Sequence, residues 1–207
     1  MIAIIDYGAG NLGSVYKAFR FIGVDVRVTA DRDTVERADG LVLPGVGAFT
    51  HCMQGLESVG LTGVTQDYIA SERPFLGICV GLQMLFEESE EMGTSPGLGV
   101  LHGRVVRFDF PAPQARALKV PHIGWNALTF RQDATLFQGL NQGDRAYFVH
   151  SYYPVPCDPA VASATTDYGG PFCCAVEHAN VHATQFHPEK SGTVGLTMLR
   201  NFAAICP

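Results

Sequence analysis

The run Phe75-Leu76-Gly77-Ile78-Cys79-Val80-Gly81-Leu82-Gln83 constrains this chain more than any other stretch. An apolar segment ends at Gly-Ile-Cys-Val-Gly, and a helix-like segment starts at once. That layout predicts a sharp strand-to-helix turn which lifts one side chain clear of a sheet, with small flanking residues relieving the crowding. A cysteine at the tip lies near a helix N-terminus, whose N–H groups and dipole favour thiolate over thiol. The same window also fits a core cysteine buried beside Phe75, Leu76 and Ile78, because free cysteine is often buried.

A second segment, Thr184-Gln185-Phe186-His187-Pro188-Glu189-Lys190-Ser191, supplies what a thiolate nucleophile needs. His187 is a candidate base and Glu189 a candidate orienter of its imidazole, the part an acid plays in serine triads. Pro188 has a fixed φ and no N–H, so it breaks strand geometry and can turn both side chains toward one point. Taken singly, His187 also reads as a turn histidine and Glu189 as an acid at a helix start. Gly-x-Cys-x-Gly together with a distant His-Pro-Glu is a far rarer coincidence.

The chain has 207 residues, enough for one large core, and is expected to form a single domain over residues 1–207. The formal charge is −6 with no basic block, which argues against nucleic acid or an anionic membrane as partner. The N-terminal apolar run, Ile2 to Ile5, is too short for a signal peptide, and no stretch is long enough to span a bilayer. A cytoplasmic chain is therefore expected. Six cysteines are present, at 52, 79, 157, 173, 174 and 206, with no Cys-x-x-Cys pair. No disulfide framework, metal site or cofactor is expected, and adjacent Cys173 and Cys174 read as structural.

The first half alternates strand and helix signals. Strands are expected at Met1 to Asp6, Val24 to Thr29, Leu41 to Leu43 (closed by Pro44-Gly45) and Phe75 to Ile78. Helices are expected from Leu12 to Ile22 capped by Asn11, within Phe49 to Ala70 broken near Gly60 and Gly63, and from Val80 toward Glu87. This alternation predicts an α/β fold with a doubly wound, mostly parallel sheet. The second half carries short β-prone runs at Val100-Leu101, Arg104 to Phe108, Ala146 to Val149, Val161 to Thr165, Cys173 to Val176 and His182 to Phe186. These predict additional antiparallel strands, with Pro111 to Ala115 as an exposed loop and Thr193 to Ile205 as a closing helix.

Gly77-Ile78-Cys79-Val80-Gly81-Leu82-Gln83 and His187-Pro188-Glu189 resemble the class I (triad) glutamine amidotransferases. Five further blocks narrow the match: Ile5-Asp6-Tyr7-Gly8-Ala9-Gly10-Asn11-Leu12, Leu43-Pro44-Gly45-Val46-Gly47-Ala48-Phe49, His122-Ile123-Gly124-Trp125-Asn126, Tyr147-Phe148-Val149-His150-Ser151-Tyr152-Tyr153 and Thr184 to Ser191. They resemble the subfamily of glutaminase subunits of imidazole glycerol phosphate synthases over nearly the whole chain.

The resemblance implies hydrolysis of L-glutamine through a thioester on Cys79, with His187 and Glu189 completing the triad. It implies an oxyanion site from the Val80 N–H and from the Gly45-Val46-Gly47 segment, whose structural alternative is an ordinary tight turn. Gln83 and Glu91 match residues that hold the glutamine, with backbone help from His150, Ser151 and Tyr152. The rest of the acidic run Glu87 to Glu91 reads as solvated. The implied partner is a (β/α)8-barrel cyclase subunit of histidine biosynthesis, forming a heterodimer and receiving ammonia. Asn11, Trp125, Asn126 and Lys190 match positions facing that partner. Trp125 also reads as a core aromatic and Lys190 as a solvated lysine. The alternatives are a glutaminase serving a chorismate-using or pyridoxal phosphate synthase, a stand-alone cysteine hydrolase, and an inactive binding module.

Overall fold

Residues 1–111 and 118–207 are described by a computed structural model. Fourteen strands and six α-helices are seen among them. The principal sheet has eight strands in the order β2-β1-β3-β4-β14-β13-β12-β9. These are β1 (Ile2–Ile5), β2 (Val26–Thr29), β3 (Gly40–Gly45), β4 (Phe75–Cys79), β9 (Thr129–Phe130), β12 (Ala162–Asp167), β13 (Pro171–His178) and β14 (Val181–Thr184). The five strands from β2 to β14 run parallel, and β13, β12 and β9 add antiparallel pairing. Every residue of β1, β3, β4 and β14 is buried. Consecutive strand residues point to opposite faces, so both faces are covered.

The cover comes from helices. α1 (Leu12–Phe21) packs beside α6 (Gly192–Ala204), where Phe19 meets Phe202 edge-on. Two more helices, α3 (Phe49–Ser58) and α4 (Thr62–Ala70), pack together, and a five-residue helix, α2 (Arg32–Glu36), lies beside α4. The break between α3 and α4 falls where Gly60 adopts φ +70°. Asn11 occupies the position before α1, but its side chain makes no capping bond. The true cap is Asp31 before α2, whose carboxylate accepts from the Thr34 N–H at 2.9 Å.

Two smaller sheets close over one end. β10 (Arg145–His150) pairs with β8 (His122–Ala127), and a four-stranded sheet runs β11 (Tyr152–Pro156), β7 (Leu101–Arg107), β5 (Phe86–Ser89), β6 (Ser95–Pro96). Two expectations are corrected here. The third strand does not stop at Leu43 but continues through Pro44 and Gly45, because β3 stays in register with β4 up to Gly45 opposite Cys79. The helix after Cys79, α5, covers only Val80–Gln83, because Phe86–Ser89 is drawn into pairing with β7 and β6. Residues 112–115 of the expected Pro111–Ala115 loop lie outside the described residues, and Pro111 itself is exposed. Cys173 and Cys174 are both buried in β13, and all six cysteines are free. Among the described residues no helix is long and apolar enough to cross a membrane.

An aromatic cluster joins the small sheets to β13. Phe108, Phe148, Tyr168 and Phe172 surround His122 and His150. His150 Nδ1 donates to the Tyr152 carbonyl at 2.9 Å, which leaves its Nε2 to accept from His122 Nδ1 at 3.0 Å. Burial pushes His122 down to about 4 and His150 down to about 3. An imidazole in the unfolded chain titrates near 6.5. Between these limits the unfolded chain binds protons that the folded chain refuses, so stability falls as pH drops below about 6.5. Each histidine is expected to cost roughly 1 to 2 kcal/mol between pH 6.5 and 5. Denaturant unfolding across that interval should show a smaller loss in His122→Phe, which keeps an aromatic ring and loses the titration. Identical pH dependence in the two proteins would contradict this.

Candidate active site

Cys79 ends β4 with φ +57° and ψ −109°, a backbone conformation that costs a non-glycine residue energy and needs surrounding structure to hold it. The surroundings are tight. A Cβ on Gly81 would meet the Leu43 carbonyl at 1.9 Å, and one on Gly77 the Gly81 carbonyl at 2.8 Å. Only glycine lets α5 leave this close to β3 and β4. With four residues, α5 aligns few peptide dipoles, so its N-terminus contributes little field at the sulfur. Any stabilised thiolate must draw on side chains.

Those side chains arrive from beyond β14. Pro188 opens a 3-10 turn, Pro188–Lys190, that brings Glu189 back under His187. The turn is moored to β10: the His187 N–H donates to the Tyr147 carbonyl at 3.0 Å, and the Ser191 hydroxyl donates to the His187 carbonyl at 2.7 Å while accepting from the Tyr147 N–H. His187 Nδ1 lies 2.8 Å from Glu189 Oε1, and both side chains are almost fully buried. The carboxylate fixes the tautomer with hydrogen on Nδ1. His187 Nε2 is buried and has no hydrogen-bond partner among the described residues. Burial alone would drive this imidazole toward the neutral form. The charges of Cys79 and Glu189, with the hydrogen bond to Glu189, outweigh that effect and hold it up at about 10.

Gln185 was not anticipated as a site residue. It sits two positions before His187 and is fully buried, with its Nε2 3.8 Å from the Cys79 sulfur. Its Oε1 accepts from the Gln83 amide at 3.1 Å, and Gln83 also donates to the Tyr152 carbonyl at 3.0 Å. Both Gln83 hydrogens are thus committed within the protein, leaving its carbonyl oxygen for another donor. The spacing from His187 was a usable signal, since residues two apart leave an extended strand on the same side.

The sulfur opens into a cavity of about 460 Å³. Val46, Gly47, Val80, Gln83, Glu91, His150, Ser151, Tyr152 and His187 line it with Cys79. Gly45 stands beside Cys79 at the end of β3. Asn11 and Lys190 also line the cavity, whereas Trp125 and Asn126 lie apart from it on β8. Trp125 is 50% exposed and so is not a core aromatic. Asn126 donates to the Asp167 carbonyl at 2.7 Å.

Glu91 does not stand near the end of the elbow helix. It follows β5, and its Oε2 accepts from the Phe49 N–H at 2.7 Å, at the start of α3. The acidic run is less idle than its solvated reading implied: Glu87 accepts from the Gly103 N–H and meets His102, and Glu90 accepts from the Arg107 N–H. Among the described residues, no three His, Cys, Asp or Glu side chains are grouped to hold a metal ion.

The family model for "Glutamine amidotransferase class-I" matches residues 3–206. A protein of Syntrophotalea carbinolica named "Imidazole glycerol phosphate synthase subunit HisH" is 56% identical over 203 residues, spanning 98% of each chain. A protein of the same name from Methanothermobacter thermautotrophicus is 51% identical over 205 residues, covering 99% of this chain and 98% of its own. Two solved structures share the fold: a glutamine amidotransferase with TM-score 0.75 at 19% identity, covering 100% of this chain and 99% of that one, and PurLQS from Thermotoga maritima with TM-score 0.73 at 16% identity, covering 97% and 96%. With the family model and these relatives each spanning nearly its whole length, the chain belongs to the class-I glutamine amidotransferase family.

Proposed function

We propose that residues 1–207 form one glutaminase domain that hydrolyses L-glutamine to glutamate and ammonia. The observation that carries this is the convergence of Cys79, held at a strained corner, with the buried His187–Glu189 pair at the wall of one cavity. The Cys79 thiol passes its proton to His187 Nε2, and the sulfur attacks the side-chain amide carbon. His187 returns the proton to the nitrogen as the C–N bond breaks, and ammonia leaves. Water, deprotonated by His187, then cleaves the glutamyl thioester. Glu189 holds the tautomer and stabilises the imidazolium between these steps.

The tetrahedral intermediates need donors at the developing oxyanion, and losing one typically costs about a hundred- to a thousandfold. The Val80 N–H and a peptide of the Gly45-Val46-Gly47 segment are the proposed donors. Gln83 would accept from the substrate through its carbonyl oxygen, and Glu91 would receive the substrate ammonium on the oxygen not used by Phe49. His150, Ser151 and Tyr152 would frame the substrate carboxylate.

Ammonia in neutral water is mostly ammonium, which is not nucleophilic, so an acceptor site must lie close by. The relatives are named as a subunit of imidazole glycerol phosphate synthase. That name supports a second subunit here, a cyclase of the (β/α)8-barrel type in histidine biosynthesis, docked where Asn11 and Lys190 meet the cavity mouth. The exposed Trp125 would extend that contact.

Two outcomes are expected. Cys79→Ala should abolish glutamine-dependent product formation by the two-subunit complex while leaving turnover with added ammonium salts near the wild-type level. Loss of both would show that the division of labour is wrong. Steady-state glutaminase rates should also be low for the isolated chain and rise when the cyclase binds its ligand. Equal rates in the two states would remove partner control.

A further inference from the structure

Two buried side chains outside the triad converge on the segment that borders the cavity. Tyr7, just past β1, donates its hydroxyl to the Pro44 carbonyl at 2.6 Å, and the Met84 sulfur lies 3.8 Å from the Tyr7 hydroxyl oxygen. Cys52, on α3, directs its thiol at the Val46 carbonyl 3.4 Å away. Cys52 has no exposed surface and Tyr7 almost none, and neither lines the cavity.

The two acceptors bracket one peptide. The Pro44 carbonyl belongs to the peptide before Gly45, and the Val46 carbonyl to the peptide after Val46. Between them lies a single plane carrying the Gly45 carbonyl and the Val46 N–H. With both neighbours fixed, that plane can turn only by coupled rotation about the Gly45 and Val46 backbone bonds. Gly45 itself is confined: a Cβ there would lie 2.8 Å from the Val80 Cβ, 2.9 Å from the Gly81 nitrogen and 3.0 Å from the Tyr7 hydroxyl.

We infer that Tyr7 and Cys52 are positioning residues for glutamine hydrolysis, clamping the carbonyls on either side of the Gly45–Val46 peptide and thereby setting where the Val46 N–H points. This rests on the reading of Cys79 as the acylated nucleophile and of that segment as an oxyanion donor. The chemistry of both side chains suits the task. Burial raises the Tyr7 hydroxyl far above its ordinary range, and the Cys52 and Cys79 sulfurs push the same way, so it keeps its proton. Burial likewise raises Cys52, which preserves the S–H that a thiolate would lack. In this account the Cys52 thiol serves as a donor of fixed direction, with no redox or nucleophilic part. A carbonyl freed from its donor lets the bracketed plane wander, and only a fraction of molecules then present the N–H when charge develops on the oxyanion.

The test compares wild type with Tyr7→Phe, Cys52→Val and Cys52→Ser, each in complex with the cyclase subunit. Glutaminase kcat and KM are measured beside the rate at which iodoacetamide alkylates Cys79, read on the Cys79 peptide by mass spectrometry. Alkylation displaces iodide and develops no oxyanion, so it reports the sulfur alone. Tyr7→Phe and Cys52→Val should lower kcat by about three- to tenfold with KM within about twofold, as expected for an interaction felt mainly in the transition state. Their alkylation rates should match wild type, and Cys52→Ser, which keeps a donor, should restore most of kcat. Unchanged kcat in both donor-deleting variants overturns the clamp. So does a parallel fall in alkylation, or a Cys52→Ser variant as slow as Cys52→Val. If Tyr7→Phe fails to fold, the Cys52 pair decides the question. A wild-type complex with no glutaminase activity overturns the reaction reading itself, and the clamp with it.

Discussion

The molecule is organised around a residue held where it does not want to be. Cys79 adopts φ +57° at the point where β4 gives way to α5. A strained conformation of this kind costs on the order of 1–3 kcal/mol and persists only if its surroundings over-determine it. Here the surroundings are β3 in register on one side, β14 on the other, and glycines at 77 and 81 that admit backbone where any side chain would collide. The parallel sheet can be seen as the scaffold for this corner. β3 delivers the Gly45-Val46-Gly47 segment to one flank of the sulfur, and β14 delivers Gln185 and His187 to the other. Open parallel sheets place their sites at the carboxyl ends of the strands, and this cavity obeys that rule.

What the sequence made legible follows from how local each constraint is. The corner at Cys79 was readable because the small-x-nucleophile-x-small pattern is itself the steric requirement of the turn. His187-Pro188-Glu189 was readable because proline forces the reversal that brings the carboxylate under the imidazole within three residues. The parallel core was readable from uninterrupted apolar runs at Ile2 to Ile5 and Phe75 to Ile78. The length of α5 was not, because Leu82 to Phe86 continues the apolar pattern while pairing with β7 and β6, on a separate sheet, decides the outcome. Nor was the use of Glu87, Glu90 and Glu91, whose backbone partners lie 16 to 42 residues away. Helix α2 went unnoticed despite a usable signal in Asp31, three residues before Thr34. Tyr7 and Cys52 carry no pattern at all, since a buried polar bridge between distant elements becomes visible only when the chain is folded.

Burial and neighbouring charge together set the electrostatics. His122 and His150 are kept neutral by the apolar cluster around them, and His150 brings that neutral ring to the cavity wall. On the wall of the same cavity His187 is pushed the other way, up to about 10, by the charges of Glu189 and Cys79. Three buried imidazoles in one small region are therefore sorted by whether charged neighbours offset burial, and the sorting leaves one proton carrier beside the sulfur.

The central claim is that Cys79, and no other thiol, becomes acylated by glutamine. The direct measurement is rapid acid quench of the active complex mixed with glutamine, followed by mass analysis of the six cysteine-bearing positions. The account predicts a glutamyl adduct on Cys79 alone, labile to hydroxylamine and absent from His187→Asn. An adduct on a different cysteine, or full glutaminase turnover by a Cys79→Ala protein, would contradict it.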